Sequence, residues 1–248
     1  MTSLFQEIEA LHGATPWGAV LDAGSGPSSI RWIETLPTAR WTAVTGAPGM
    51  ADGIRDALRR PMRDGDRVVL GNWQDPDLLA CERYDTVLAD YLLGAIEGFA
   101  PYWQDLLFER LRPLTAGRLY VIGTEPYVPV LRDEPHARLV GDIGRLRDAC
   151  LLMVRDRPYR EFPIDWTLRH LERAGFRPVA VERYPIRYGR RFVDGQLDMC
   201  LRRLPRLHDP ALETALRHRI ETLRARAHAV IEQDGALRHG ADYIVAAD

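Results

Sequence analysis

The chain has 248 residues, enough for one large domain, and its 46% hydrophobic content supplies a sizeable core. A net charge of −2 excludes the uniformly basic field that a protein coating nucleic acid needs. All 33 basic residues are arginine, so neither a lysine Schiff base nor a P-loop lysine is available.

Residues 3–12 place Leu4, Phe5, Ile8 and Leu11 at helical spacing, which predicts an amphipathic N-terminal helix. "GAVLDAG" is a short apolar run ending in glycine and reads as a first strand. "PSSIRWIETLP" follows as a helix that starts near Pro27–Ser29 and stops before Pro37. "RWTAVTGAP" is a second strand and "GMADGIRDALRR" a second helix. "DRVVLGNW" and "RYDTVLADYLL" are the third and fourth strands. A helix is expected over roughly Ala100–Leu111, and "GRLYVIGTEPY" is the fifth strand. This alternation argues for βαβ units and a parallel sheet covered on both faces. Right-handed crossovers then give a doubly wound α/β sandwich.

Beyond residue 130 the rhythm changes. "ARLVGDIGRLRDACLLMVRD" is helical, "RPYREFP" is a polar aromatic connection, and "IDWTLRHLERAGF" is a helix stopped by Gly175. "RPVAVERYPIRYG" is strand-like. Pro210–Asp234 forms a long helix with Leu212, Leu216, Ile220, Leu223, Ala227 and Val230 as its apolar stripe. That stripe suits packing on the body of the protein, with a homodimer seam as the other use. "ADYIVAAD" is a last short strand. The expected organisation is one domain over 1–248: an N-terminal helix or cover (1–17), a core (18–190), a helical insertion (191–240) and a final strand (241–248).

Cys81, Cys150 and Cys200 are far apart and form no CxxC pair, so three buried reduced thiols and no metal site are expected. The acidic N-terminus does not read as a signal peptide, and no apolar run approaches a membrane span. A cytoplasmic protein with no membrane partner follows.

The first strand ends at Asp22-Ala23-Gly24 and leads into Ser25-Gly26. Gly24 allows a tight turn, and Gly26 lets a ligand approach bare backbone. The dinucleotide fingerprint GxGxxG/A is not met, because its third position is Ser29. "VLDAGSG" instead resembles motif I of class I S-adenosylmethionine-dependent methyltransferases. "RYDTVLADYLL" is similar to that family's fourth strand, and "LFERLRPLTAGRLYVI" to its helix and fifth strand. "HLERAGFRPVAVERY" resembles its approach to the sixth strand, and "GADYIVAAD" its antiparallel seventh. In order and spacing the match covers roughly residues 18–190 and 241–248.

The resemblance implies a Rossmann-like seven-stranded sheet, mostly parallel with its last strand antiparallel, helices on both faces, and a helical insertion near the C-terminus. It implies S-adenosyl-L-methionine as cofactor. Ala23 and Gly24 would approach its methionine end through backbone groups, with Gly26 beside them and Asp22 holding the zwitterion. The second strand lacks the family's usual ribose acid, which leaves Thr45, or Asp52 reaching back, for the ribose. Asn72 suits the adenine edge, and Trp73 either stacks or belongs to the core. Asp90, ending the fourth strand, is a further cofactor candidate.

Methyl transfer needs alignment more than a base, so acceptor residues are read by position. Tyr91 and Tyr127 follow sheet strands, and Tyr159 and Arg157 lie in the polar connection; these four are expected to orient the acceptor. His136 and His170 are candidate bases, the second reading as structural. The long insertion favours an enclosed small-molecule acceptor over nucleic acid. The rival readings are an NAD(P)-dependent oxidoreductase on a Rossmann sheet and a non-catalytic binding module with a methyltransferase-like fold.

Overall fold

The computed structural model describes residues 3–128 and 133–248. They form two compact units. The first, the sheet unit, runs to Thr124 and includes Phe162–Arg183 and Tyr243–Asp248; the second, the helical unit, comprises Glu125–Glu161 and Tyr184–Asp242.

Seven strands lie in the order β3-β2-β1-β4-β5-β7-β6. They are β1 (Ala19–Asp22), β2 (Arg40–Thr45), β3 (Arg67–Leu70), β4 (Tyr84–Asp90), β5 (Thr115–Thr124), β6 (Pro178–Tyr188) and β7 (Leu237–Ala247). The pairs β3–β2, β2–β1, β1–β4 and β4–β5 are parallel. Strand β7 is antiparallel. Just outside β6 and β7, Arg177 and Asp248 each donate their N–H to the other's carbonyl, at 2.8 and 3.0 Å. That reciprocal exchange is the mark of an antiparallel pair. The expected mostly parallel sheet with an antiparallel last strand is therefore present. β6 and β7 contribute residues to both units.

Register places the functional edge. Asp22 pairs with Ala43 and Leu88, Thr45 with Leu70, and Asp90 with Ile122. The carboxyl ends of β1 to β4 thus share one edge, where open α/β sheets bind ligands.

Helices α1 (Leu4–His12), α2 (Pro27–Ile33), α3 (Pro48–Ala57), α4 (Leu92–Ala95), α5 (Leu107–Leu111) and α7 (Ile164–Arg173) belong to the sheet unit. Pro27 and Pro48 start their helices where a missing N–H costs nothing. Gly175, at φ +82, takes the left-handed turn that ends α7. The core includes three fully buried tyrosines, and each ring hydroxyl has a partner. Tyr84 donates to Glu82 at 2.7 Å, Tyr120 meets His12 Nδ1 at 2.9 Å, and Tyr243 donates to the Phe162 carbonyl at 3.0 Å. The Tyr243 ring fills the place a side chain at Gly123 would take.

The helical unit is built on α6 (Pro135–Met153), α8 (Arg190–Leu201) and α9 (Pro210–Asp234). The last two form the helical insertion between β6 and β7 in the chain. Asp209 caps α9 by accepting from the N–H groups of Ala211 and Leu212. Ile220, Leu223 and Ala227 of the predicted stripe are buried against Val193 and Leu197 of α8 and Val140 and Ile143 of α6. Leu216 and Val230 pack half-buried against the same cluster, and Leu212 is half-exposed.

Three local expectations are corrected. The fourth strand stops at Asp90, because Tyr91 turns left-handed (φ +49) and starts α4. The helix expected from Ala100 begins at Leu107 after a 3-10 turn over Gln104–Leu106; left-handed Tyr102 (φ +64) keeps the preceding stretch irregular. Cys81 is exposed rather than buried, lying in the turn before β4, while Cys150 and Cys200 are buried. Among the described residues no helix is long and apolar enough to cross a membrane.

Candidate cofactor site at the strand ends

Asp22 ends β1 with no exposed surface. Ser29, one turn into α2, donates its hydroxyl to Asp22 Oδ2 at 2.6 Å and accepts the Gly26 N–H at 3.1 Å. Ser25 donates its hydroxyl to the Asp22 carbonyl at 2.9 Å, and its N–H goes to Val44 at 2.8 Å. The loop is thereby laced to the end of β1 and to β2. Asp22 Oδ1 is buried with no hydrogen-bond partner. Burial pushes this carboxyl up to about 6, against the lowering effect of the Ser29 hydrogen bond and the nearby Ser25 hydroxyl and Gly24 backbone N–H. A buried carboxylate oxygen left without a donor is costly unless a ligand supplies one.

Gly26 adopts extended backbone (φ −141, ψ 174), and a Cβ there would find only Met50 Sδ at 4.0 Å. The loop is open at this point. Gly24 differs, since a Cβ would lie 3.0 Å from Leu92 at the start of α4. The Ala23 backbone is committed. Its N–H donates to Leu88 at 2.8 Å and its carbonyl accepts the Trp73 indole N–H at 2.7 Å.

That bond decides between the two readings of Trp73. The ring is buried, 4% exposed, and its one polar atom holds the loop from beneath, so it belongs to the core and has no face free for stacking. Trp73→Phe leaves the buried Ala23 carbonyl without its donor. It is expected to lower unfolding free energy by about 1–3 kcal/mol in chemical denaturation, with the fold retained.

Thr45 ends β2 nearly buried. Its Oγ1 accepts the Ala47 N–H at a long 3.4 Å, and the hydroxyl proton remains available to donate. Asp52 does not reach back: it pairs with Arg55 at 3.1 Å on the exposed side of α3. Asn72, just beyond β3, donates to the Phe99 carbonyl at 2.9 Å and accepts the Gln74 N–H at 3.0 Å. The Phe99 ring lies against Gly46, where a Cβ would come within 2.7 Å of it. The stretch after α4 therefore crosses the ends of β2 and β3. Gln104 Nε2, donating to buried Glu97 at 2.9 Å, holds it in place. Asp90 and Tyr91 close the row at the end of β4. A non-glycine residue in left-handed backbone is strained by about 1–3 kcal/mol, and such strain gathers at functional sites.

No family model matches the sequence, and no curated protein is similar to it. Solved structures do match. A provisionally assigned methyltransferase of Bacillus halodurans superposes with a TM-score of 0.61 at 12% identity, over 98% of this chain and 96% of that one. A cyclopropane-fatty-acyl-phospholipid synthase-like protein of Lactobacillus casei gives 0.62 at 12% identity, over 98% and 88%. A mycolic acid cyclopropane synthase solved with SAH gives 0.57 at 16% identity, over 100% and 85%. The chain has the fold of the class I methyltransferases. Its sheet also departs from the all-parallel dinucleotide order 3-2-1-4-5-6, because antiparallel β7 stands between β5 and β6.

The four residues expected at the acceptor divide between the units. Tyr91 is in the sheet unit, whereas Tyr127, Arg157 and Tyr159 are in the helical unit. Tyr127 is buried and accepts from Arg147 Nη1 at 2.8 Å. Tyr159 is 52% exposed, and Arg157 is exposed. His136 pairs with Asp234 at 2.8 Å, and His170 stacks on Trp166 with ring centres 3.6 Å apart. Sequence reasoning missed Ser29 as the brace of Asp22, Phe99 over the end of β2, and the helical unit's group of Arg147, Glu161 and Tyr188. Of these, Ser29 alone carried a local signal, its place one turn into the helix after the loop.

Proposed function

We propose that the chain transfers a methyl group from S-adenosylmethionine to a small-molecule acceptor. The observation that carries this reading is the buried, unpartnered Oδ1 of Asp22 beside an open Gly26 at the sheet's ligand-binding edge. The residues fit the cofactor. Asp22 offers a carboxylate to its ammonium group, Gly24 and Gly26 offer backbone without side chains, Thr45 a hydroxyl to the ribose, and Asn72 and Phe99 an amide and a ring to the base. Asp90 stands at the end of β4, just before Tyr91 in the chain. When bound, the sulfonium supplies an activated methyl group with a good leaving group. The protein's own work is then to bind, orient and exclude water, and Tyr91, strained at the end of β4, is the sheet unit's candidate for orienting the acceptor.

The small-molecule class rests on the size of the helical unit, which is assembled from segments after β5 and between β6 and β7. The test is mass spectrometry of a metabolite mixture incubated with the protein and methyl-labelled cofactor. Label appearing in one compound supports the proposal. Tight cofactor binding without transfer would identify a binding module, and binding of NAD(P) in its place would favour the oxidoreductase reading.

Phe99 gives a separate expectation. Stacking of an aromatic side chain on a base contributes about 1–3 kcal/mol. Phe99→Ala should therefore weaken cofactor binding about tenfold or more in calorimetry. The ring is 41% exposed, so the fold should survive its loss. Unchanged affinity would take Phe99 out of the site.

A further inference from the structure

We propose that the helical unit carries a binding site for a small organic ammonium ion, built by Tyr127, Arg147, Asp148, Glu161, Tyr188 and Asp242. It does not rest on the methyl-transfer reading, and no residue of the motif I loop takes part.

Five segments bring these groups together. Tyr127 follows β5, Arg147 and Asp148 lie on α6, Glu161 lies in the polar connection, Tyr188 ends β6, and Asp242 lies on β7. Arg147 is already committed. Its Nε donates to Asp148 at 2.8 Å, and its Nη1 donates to Tyr127 at 2.8 Å and to Gln196 at 2.9 Å. Asp148 meets the guanidinium charge directly, so an arriving anion would find little positive charge unspent and would face the Glu161 carboxyl.

Tyr188 points to a ligand independently of the acids. It is 7% exposed, and its hydroxyl is buried without a hydrogen-bond partner. Its ring lies 6.3 Å from that of Tyr127 and 4.1 Å from that of Phe192. A native core rarely leaves a phenol unsatisfied. Aromatic rings beside carboxylates favour an organic cation, which gains both the attraction of the ring faces and a charged hydrogen bond. Glu161 adds electrostatic support. Burial first, then Asp242 and Asp148, push its carboxyl up to about 7 against the opposing effect of Arg147. A bound cation would relieve that cost.

The test is calorimetry on the full chain without cofactor at about pH 8, with n-butylammonium, n-butyrate and n-butanol as probes. Saturable binding of butylammonium, about tenfold or more tighter than either control, is expected. Glu161→Gln should weaken it about tenfold to a hundredfold, and Tyr188→Phe several-fold, with S-adenosylmethionine binding unchanged in both. Lowering the pH to about 6 should weaken binding as Glu161 takes up its proton among Arg147, Asp148, Asp242, Tyr127 and Tyr188. Absence of saturable butylammonium binding by the native chain, or binding of butyrate as tight, overturns the proposal whatever the variants do. So does an unchanged affinity in folded Glu161→Gln. Failure of cofactor binding alone would count against the methyl-transfer reading and leave this one standing.

Discussion

Asp22→Asn should bind S-adenosylmethionine about tenfold to a hundredfold more weakly than the native chain, and should resist denaturant better at neutral pH. Both effects have one origin. The carboxyl is fully buried, and its pKa is pushed up to about 6 chiefly by desolvation. In the unfolded chain it titrates near 3.8. Between those values the folded state holds a proton that the unfolded state has released. Stability therefore falls as pH rises through that window, and above about 6 the fold carries the whole penalty, roughly 3 kcal/mol. Asparagine keeps the shape and can still accept from Ser29, but carries no charge to desolvate. It should recover about 1–3 kcal/mol at about pH 8 and nothing at about pH 3. A cofactor ammonium would make the native carboxylate worth ionising. Binding at about pH 6 should then release part of a proton, visible as a buffer-dependent heat in calorimetry and absent in the variant. An Asp22→Asn chain that binds the cofactor as tightly as the native one would leave the buried acid without a ligand and the proposed site without its anchor.

The sheet was legible because its signals are local and repeated. Each of the first five strands is a short apolar run closed by a turn, and the period-two and period-3.6 patterns alternate. α9 was read to its ends because Asp209-Pro210 starts it and Gly235 stops it. The errors fall where backbone departs from the common regions. Tyr91, Tyr102 and Cys81 all have positive φ, which side-chain type does not announce. The site was half legible. Asp22, Gly24 and Gly26 sit within five residues, and a motif can carry them. The residues that brace the loop and lie over the neighbouring strand end come from elsewhere: Trp73 is 50 residues from the Ala23 carbonyl it holds, and Phe99 is 53 residues beyond Gly46. In the helical unit the obstacle is the same. Tyr127, Arg147, Glu161, Tyr188 and Asp242 span more than a hundred residues, with no spacing to mark them as one group. The chain's 33 arginines further mask Arg147 among residues that face solvent.

Gly26→Val should abolish measurable cofactor binding while costing the fold only about 1 kcal/mol. The small structural cost follows from the backbone. At φ −141 and ψ 174 Gly26 is extended, a conformation valine prefers. The nearest atom to a new Cβ is the sulfur of Met50 at 4.0 Å, at the end of a flexible side chain that is 42% exposed. What is lost is the modest preference for glycine over valine at a helix N-cap. The contrast with Gly24 makes the experiment informative. A Cβ at Gly24 would press on Leu92 at 3.0 Å, so Gly24→Ala should lower stability by about 1–3 kcal/mol through crowding of α4 and confound any change in binding. At Gly26 the folded chain offers only that modest N-cap preference as a reason for glycine, and the proposed cofactor lying against the backbone would supply a stronger one. Circular dichroism and denaturant unfolding would establish that the valine variant is folded, and calorimetry would measure its affinity. A folded Gly26→Val chain with native affinity would place the cofactor away from the loop, and with it the reading of Asp22 as the ammonium's partner.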